Sequence, residues 1–162
     1  MASVNKLLFL SAIALVALQI SSARSLHQRL FWQDFFNVTD FLVTTGVPSL
    51  GNPANPFGAI AVVDDPVTVS RSSDSREVGR IRGTSTVVSM DSLTSLVSVT
   101  LTLDEFQGSS LTFLSAVTNS SGQLPIATGT GEFLFAKGYA LVDRIVEDIN
   151  STFSFDLRVL HF

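Results

Sequence analysis

From residue 24 onward the chain alternates apolar and polar residues with a period of two, and no stretch carries helical spacing. In LTSLVSVTLTLD, the residues Leu93, Val97, Val99, Leu101 and Leu103 fall on one face. Thr94, Ser98, Thr100 and Thr102 fall on the other, with Leu96 as the exception. That is the pattern of a strand with one buried face. The C-terminal stretch repeats it, with Phe153, Phe155, Leu157 and Val159 alternating with Ser154, Asp156 and Arg158. A chain built only of strands closes as a barrel or pairs two sheets as a sandwich, because open edges recruit other chains. There are no cysteines, so packing and sheet closure must hold either form without disulfides.

Further strand candidates are Leu30–Val43, Phe57–Val63, Glu77–Met90, Ser110–Val117, Leu124–Thr128 and Glu132–Val142. Turn chemistry separates them. The loop Gly51–Pro56 is rich in Asn and Pro, and Ser70–Ser75 is polar and charged. Met90-Asp91-Ser92, Gln107-Gly108-Ser109 and Asn119–Gly122 read as hairpin connections. The total is about eight strands, with 13 phenylalanines against one tyrosine and one tryptophan to fill the interior. Some strands are apolar on both faces, as with Leu111 and Phe113 against Leu114 and Ala116. One face then covers a lumen and the other meets a second surface such as another subunit, or the core is a thicker sandwich. The pattern leaves both open.

The first residues have the form of a targeting segment. Lys6 precedes an apolar run from Leu7 to Ile20, and Ser21-Ser22-Ala23 supplies the small residues of a cleavage site before Arg24. The run is shorter than the roughly 20 residues of a comfortable membrane span. We therefore expect a cleaved secretory signal over residues 1–23, a single domain over 24–162, and a secreted product. Asn37, Asn119 and Asn150 open Asn-x-Ser/Thr triplets, whereas Asn52 and Asn55 are followed by proline and are excluded. In a secreted chain those three are candidate glycan sites. A net charge of −4 argues against nucleic acid as a partner.

The two histidines, His27 and His161, lie near opposite ends, with His27 expected in a frayed segment. Neither sits in a nucleophile motif, so a Ser-His-Asp arrangement finds no support. No Cys/His cluster suits zinc, and no Gly-rich loop leads into a helix to cradle phosphate, so no metal or cofactor is expected. Carboxylates remain. Asp34 interrupts the aromatic run Phe31–Phe36 and shares an alternation face with Trp32 and Phe36. It is either a lumen-facing acid or a rim residue. Asp64-Asp65-Pro66 reads as a turn-forming end of a strand, with one carboxylate on each face. Arg80 and Arg82, two apart on the next strand, share a face and are placed to pair with these acids.

The order of short motifs is specific even where each alone is not. Phe57-Gly58 is followed by Val63-Asp64-Asp65, then Val78-Gly79-Arg80 with Gly83, then Gly108-Ser109-Ser110-Leu111. Gly129-Thr130-Gly131-Glu132-Phe133 then runs into Ala136-Lys137-Gly138-Tyr139-Ala140, and the chain ends Val159-Leu160-His161-Phe162. From about Phe31 to Phe162 this resembles the plant dirigent protein family. The resemblance implies an eight-stranded antiparallel β-barrel of the allene oxide cyclase/dirigent-like kind, self-associated as a homotrimer or homodimer, exported to the apoplast and glycosylated. It implies a non-catalytic guide that holds phenoxy radicals, such as those of monolignols, and steers their coupling in lignan and phenylpropanoid biosynthesis. A separate laccase or peroxidase makes the radicals. Some relatives instead act as cyclising enzymes.

On this reading the pocket candidates are Asp34, Trp32, Phe36, Arg82, Thr130 and Phe133, with Asp64 and Asp65 as structural rim residues. The chain also departs from the family pattern. Trp32 and Gln33 stand where tyrosine and histidine commonly precede the acid. Ser115-Ala116-Val117 replaces a segment with arginine and an acid or asparagine. Gly83-Thr84-Ser85-Thr86 lacks the usual tyrosine, and Leu134 and Lys137 stand for two arginines. The ligand is then more apolar, or the steering role has been lost. Two alternatives follow: a barrel cyclase working through Asp34 on a phenolic substrate, and a cell-wall scaffold with a degenerate pocket.

Overall fold

The computed structural model describes residues 23–146 and 150–162, so all but the last residue of the expected leader lies outside the described residues. β1 (Arg24–Phe35) pairs along its whole length with β11 (Asn150–His161). The order continues through β10 (Lys137–Val146), β9 (Gly122–Thr130), β8 (Ser110–Thr118), β7 (Thr94–Leu103), β6 (Glu77–Val87) and β5 (Ala59–Thr68), each antiparallel to the next. β5 then returns to β1 through Phe31↔Thr68 and Trp32↔Val67, and this pairing closes the sheet. The chain is an all-β, eight-stranded antiparallel barrel, and the sandwich alternative falls on that closing pair. β2 (Asp40–Thr45) takes over from β1 beside the first half of β5, and the two-residue strands β3 (Gly51–Asn52) and β4 (Asn55–Pro56) form a separate small hairpin.

Local differences from the sequence reading have physical causes. Leu30–Val43 is two strands, because Asn37 takes a left-handed conformation (φ 60°) in a tight turn, where its N–H donates to the Asp40 carbonyl at 2.7 Å. The segment around His27 is laddered strand, and the ring nitrogen Nε2 lies 3.0 Å from Asp156. The expected turn at Asp64-Asp65-Pro66 is instead continuous strand. Proline is tolerated there because residue 66 falls at the seam where β1 hands over to β2 along β5, so no partner requires its missing N–H. Strand pairing in β10 begins only at Lys137, after a 3₁₀ turn over Gly131–Phe133.

The interior has two halves. At one end Leu101, Leu111, Phe113, Phe155 and Leu157 are almost completely buried, with Phe113 and Phe155 meeting edge to face at 5.6 Å. The 3₁₀ turn inserts Phe133 beneath them, against Phe106 (4.8 Å) and His161 (5.3 Å). Gly129 makes that possible, since a Cβ there would lie 2.1 Å from the Phe133 carbonyl oxygen. Each buried phenylalanine removes enough apolar surface to contribute about 2–3 kcal/mol, so this half fixes the barrel. The other half is hollow. On the outside, Val62, Leu96 and Leu114 stay exposed, which is where the two-faced strands put their second apolar row. Among the described residues no helix is long and apolar enough to cross a membrane.

Candidate functional site

The hollow end is a cavity of about 1130 Å³. Alternation decides what faces it. On β5, Ala59, Ala61 and Val63 point in, and Ser85 and Val87 on β6 and Ser95 and Val97 on β7 extend the same wall. That wall holds small apolar and hydroxyl side chains and no charge. The remaining lining, from the ends of β1, β2, β10 and β11, gathers Trp32, Asp34, Asp40, Arg144 and Phe153. Phe36, Asn119 and Leu93 stand at the mouth. One pole is therefore polar and charged, and the other is smooth.

Asp34 follows Trp32 on the inward face of β1. Asp40 opens β2 after the turn and lines the same cavity, close enough for its charge to act on Asp34. Burial pushes the Asp34 carboxyl up to about 7. The negative charges of Asp40 and Asp65 add to the rise, and Arg144 opposes it. Burial also raises Asp40, and the neighbouring Asp34 opposes that rise. The Oδ1 atom of each carboxyl is buried without a protein donor. Arg144 donates to the Ser120 hydroxyl and lies over the Phe153 ring, 5.8 Å from its centre. The Trp32 ring is 5.2 Å from the same phenylalanine.

Asp65 stands behind this wall. Its position on β5 sends it inward, completely buried, where it accepts hydrogen bonds from Trp32 Nε1 (2.6 Å) and from Thr39. Burial lifts it to about 6, although both hydrogen bonds favour its charged form. It is thus an interior anchor rather than a rim residue. It ties the Trp32 ring to the β1–β2 turn and so sets where Asp34 and Asp40 sit. Its neighbour Asp64 points the other way and pairs with Arg80 (2.6 Å) and Arg82 (3.0 Å) on the outer surface. Those arginines hold the Asp64 carboxyl below the usual range.

Of the six pocket candidates, Trp32, Asp34 and Phe36 line the cavity. The other three do not. Arg82 is exposed on the outer face of β6, where it pairs with Asp64. Thr130 is exposed and shares a 2.7 Å hydrogen bond with Ser110. Phe133 is core at the closed end. The candidate glycan asparagines are all exposed, Asn37 in the β1–β2 turn, Asn119 in the β8–β9 turn and Asn150 at the start of β11.

Asp40, Arg144 and Phe153 were missed as cavity residues. Arg144 was detectable, because Ala140, Val142 and Arg144 alternate onto one face. Asp40 was hidden by treating Leu30–Val43 as one strand, which obscures the reversal at Asn37.

A family model described as dirigent-like protein matches residues 25–160. Among curated relatives, the chain is 32% identical to Pterocarpan synthase 1 of Glycyrrhiza echinata over 115 residues, covering 66% of this chain and 61% of that protein. It is 36% identical to Dirigent protein 11 of Arabidopsis thaliana over 112 residues, covering 62% and 58%. The chain thus spans about three fifths of the length of these relatives. The solved structure of a pterocarpan synthase dirigent protein superposes with a TM-score of 0.76 at 27% identity, over 88% of this chain and 91% of that one. A match across nearly every residue of the barrel, with the same closed topology in a solved relative, shows that the chain belongs to the dirigent family.

Proposed function

We propose that the hollow half of the barrel seats a reactive phenolic intermediate and directs the stereochemistry of the bond it forms. The intermediate is a phenoxy radical of the monolignol type, made by a separate laccase or peroxidase, and the protein does not oxidise it. The observation that supports this reading is the cavity lining, which gathers two carboxyls and an arginine from β1, β2 and β10 and leaves the β5–β7 side uncharged. Radical coupling has little barrier to lower, so selectivity comes from holding one face of each partner toward the other. A volume of about 1130 Å³ exceeds the usual range for one small ligand, roughly 300–1,000 Å³, and suits two rings at once. The Val62, Leu96 and Leu114 surface suits self-association as a homotrimer or homodimer, and export to the cell wall with glycans on the exposed sequons completes the picture.

The test is the enantiomeric excess of coupling products from coniferyl alcohol and laccase, with and without the protein. An excess that appears only with the protein is expected, and racemic product across several phenols would reject the reading. A second reading has its own support. An acid that holds its proton up to about pH 7 suits proton transfer to a phenolic or quinone-type oxygen, and a pterocarpan synthase is among the relatives. Turnover of a phenolic substrate without added oxidant, lost in Asp34→Ala, would establish it.

A further inference from the structure

We propose that Asp40 is a positioning residue that makes Asp34 a proton-holding group of the cavity: the two carboxyls form a pair that carries one proton and presents it to an oxygen of the bound phenolic ligand. The chain geometry builds the pair. Val38 and Thr39 donate their N–H groups to the Phe35 carbonyl at 3.0 and 2.9 Å, which folds the chain back so that β2 starts opposite the end of β1. Asp34 and Asp40 then line the same cavity, each with a buried Oδ1 that no protein group donates to. Two ionised carboxylates have acceptors only, so a proton on one of them lets the buried pair satisfy each other where no other donor reaches.

The charged surroundings agree. From β5, Asp65 brings another negative charge, but its oxygens are engaged by Trp32 and Thr39. From β10, Arg144 brings one positive charge, and from β11 the neighbouring Ser151 is uncharged. A singly protonated pair carries −1 against that arginine, whereas two carboxylates would carry −2 beside Asp65. Like charges this close do not both ionise in the same pH range. When a ligand oxygen takes the proton, an O–H bond on the pair breaks and one forms on the ligand. The pair is left doubly ionised and regains its proton from water at the mouth. No oxidant is involved.

The identity of the ligand rests on the function proposed above, but the shared proton does not. The experiment is ¹³C NMR of aspartate-labelled protein, with side-chain carboxyl shifts followed from about pH 4 to 9 and assigned with Asp34→Asn and Asp40→Asn. Two coupled steps are expected, the upper one near 7. In Asp40→Asn the Asp34 midpoint should fall by about one pH unit or more, because a neutral amide replaces a charge. An Asp34 midpoint that does not move in Asp40→Asn overturns the proposal. So does a wild-type titration in which both carboxyls finish below about pH 5, and that result needs no variant to fold. A racemic coupling assay alongside the two-step titration would reject the radical reading and leave the carboxyl pair standing.

Discussion

Replacing Asp34 by asparagine should stabilise the protein at alkaline pH and leave it unchanged in acid. The folded state holds the Asp34 proton up to about 7, against 3.8 for an unperturbed aspartate. Between those values the folded protein binds more protons than the unfolded chain, so stability falls as pH rises and the full penalty is present above 7. Three pH units correspond to about 4 kcal/mol as a ceiling, and screening by solvent at the mouth brings the expected figure nearer 2 kcal/mol. Asp65, raised to about 6, adds to the slope with the same sign. Asparagine has similar shape, can donate to Asp40 and carries no charge. At about pH 8, Asp34→Asn should therefore melt roughly 4–8 °C above the natural chain, and at about pH 4 the two should coincide. Thermal melts by circular dichroism across that range read this directly. A natural chain whose stability is flat or rising between about pH 5 and 8, or an Asp34→Asn chain that is less stable at the alkaline end, would refute the reasoning.

Two further outcomes follow from the two halves of the barrel. Phe113→Ala, at the closed end, should cost about 3–5 kcal/mol in urea unfolding, and a cost under about 1 kcal/mol would mean that the base is not the packed core described here. Trp32→Phe removes one of the two donors to buried Asp65 and should cost about 1–3 kcal/mol. The loss should be larger at about pH 8 than at about pH 5, because the missing bond supports the charged form. A pH-independent loss would separate the tryptophan from that carboxylate.

Alternation carried most of the fold. It located the strands and told inward from outward residues along β7 and along β11 from Phe155 to His161, although at the start of β11 Thr152 is buried and Phe153 only half-buried. It failed where one residue breaks the period locally. Asn37 reverses the chain inside a run that is aromatic and apolar on both sides, and a single asparagine is the only local mark that sets the turn apart from a continuing strand. Pro66 produced the opposite error. Proline signals a turn unless its N–H side faces a gap in the sheet, and the hand-over between β1 and β2 is a tertiary feature that local sequence does not encode. The site suffered from the same two errors. Asp34 was legible because its neighbours fixed its face, whereas Asp40 and Asp65 depended on a turn and a strand that the sequence reading placed wrongly. Thr130 and Phe133 belong to the motif Gly129–Phe133, whose glycines serve the packing of Phe133 rather than a pocket.

The division between a solid base and a hollow mouth separates the residues that packing fixes from those free to vary. The recognisable pieces Gly129–Phe133 and the ending with His161 build the closed end, where Phe133, Phe106 and His161 interlock. Substitution there costs stability directly. The mouth contributes little packing, because its uncharged wall is lined by alanine, serine and valine around empty space. Its side chains can change at small cost to folding, provided that the buried charges keep partners. Asp65 is under that constraint, fully buried and held by two donors. Asp34 and Asp40 carry a stability penalty instead. A penalty retained at the cavity wall is what a group kept for chemistry or recognition would show, and removing it by Asp34→Asn should exchange function for stability.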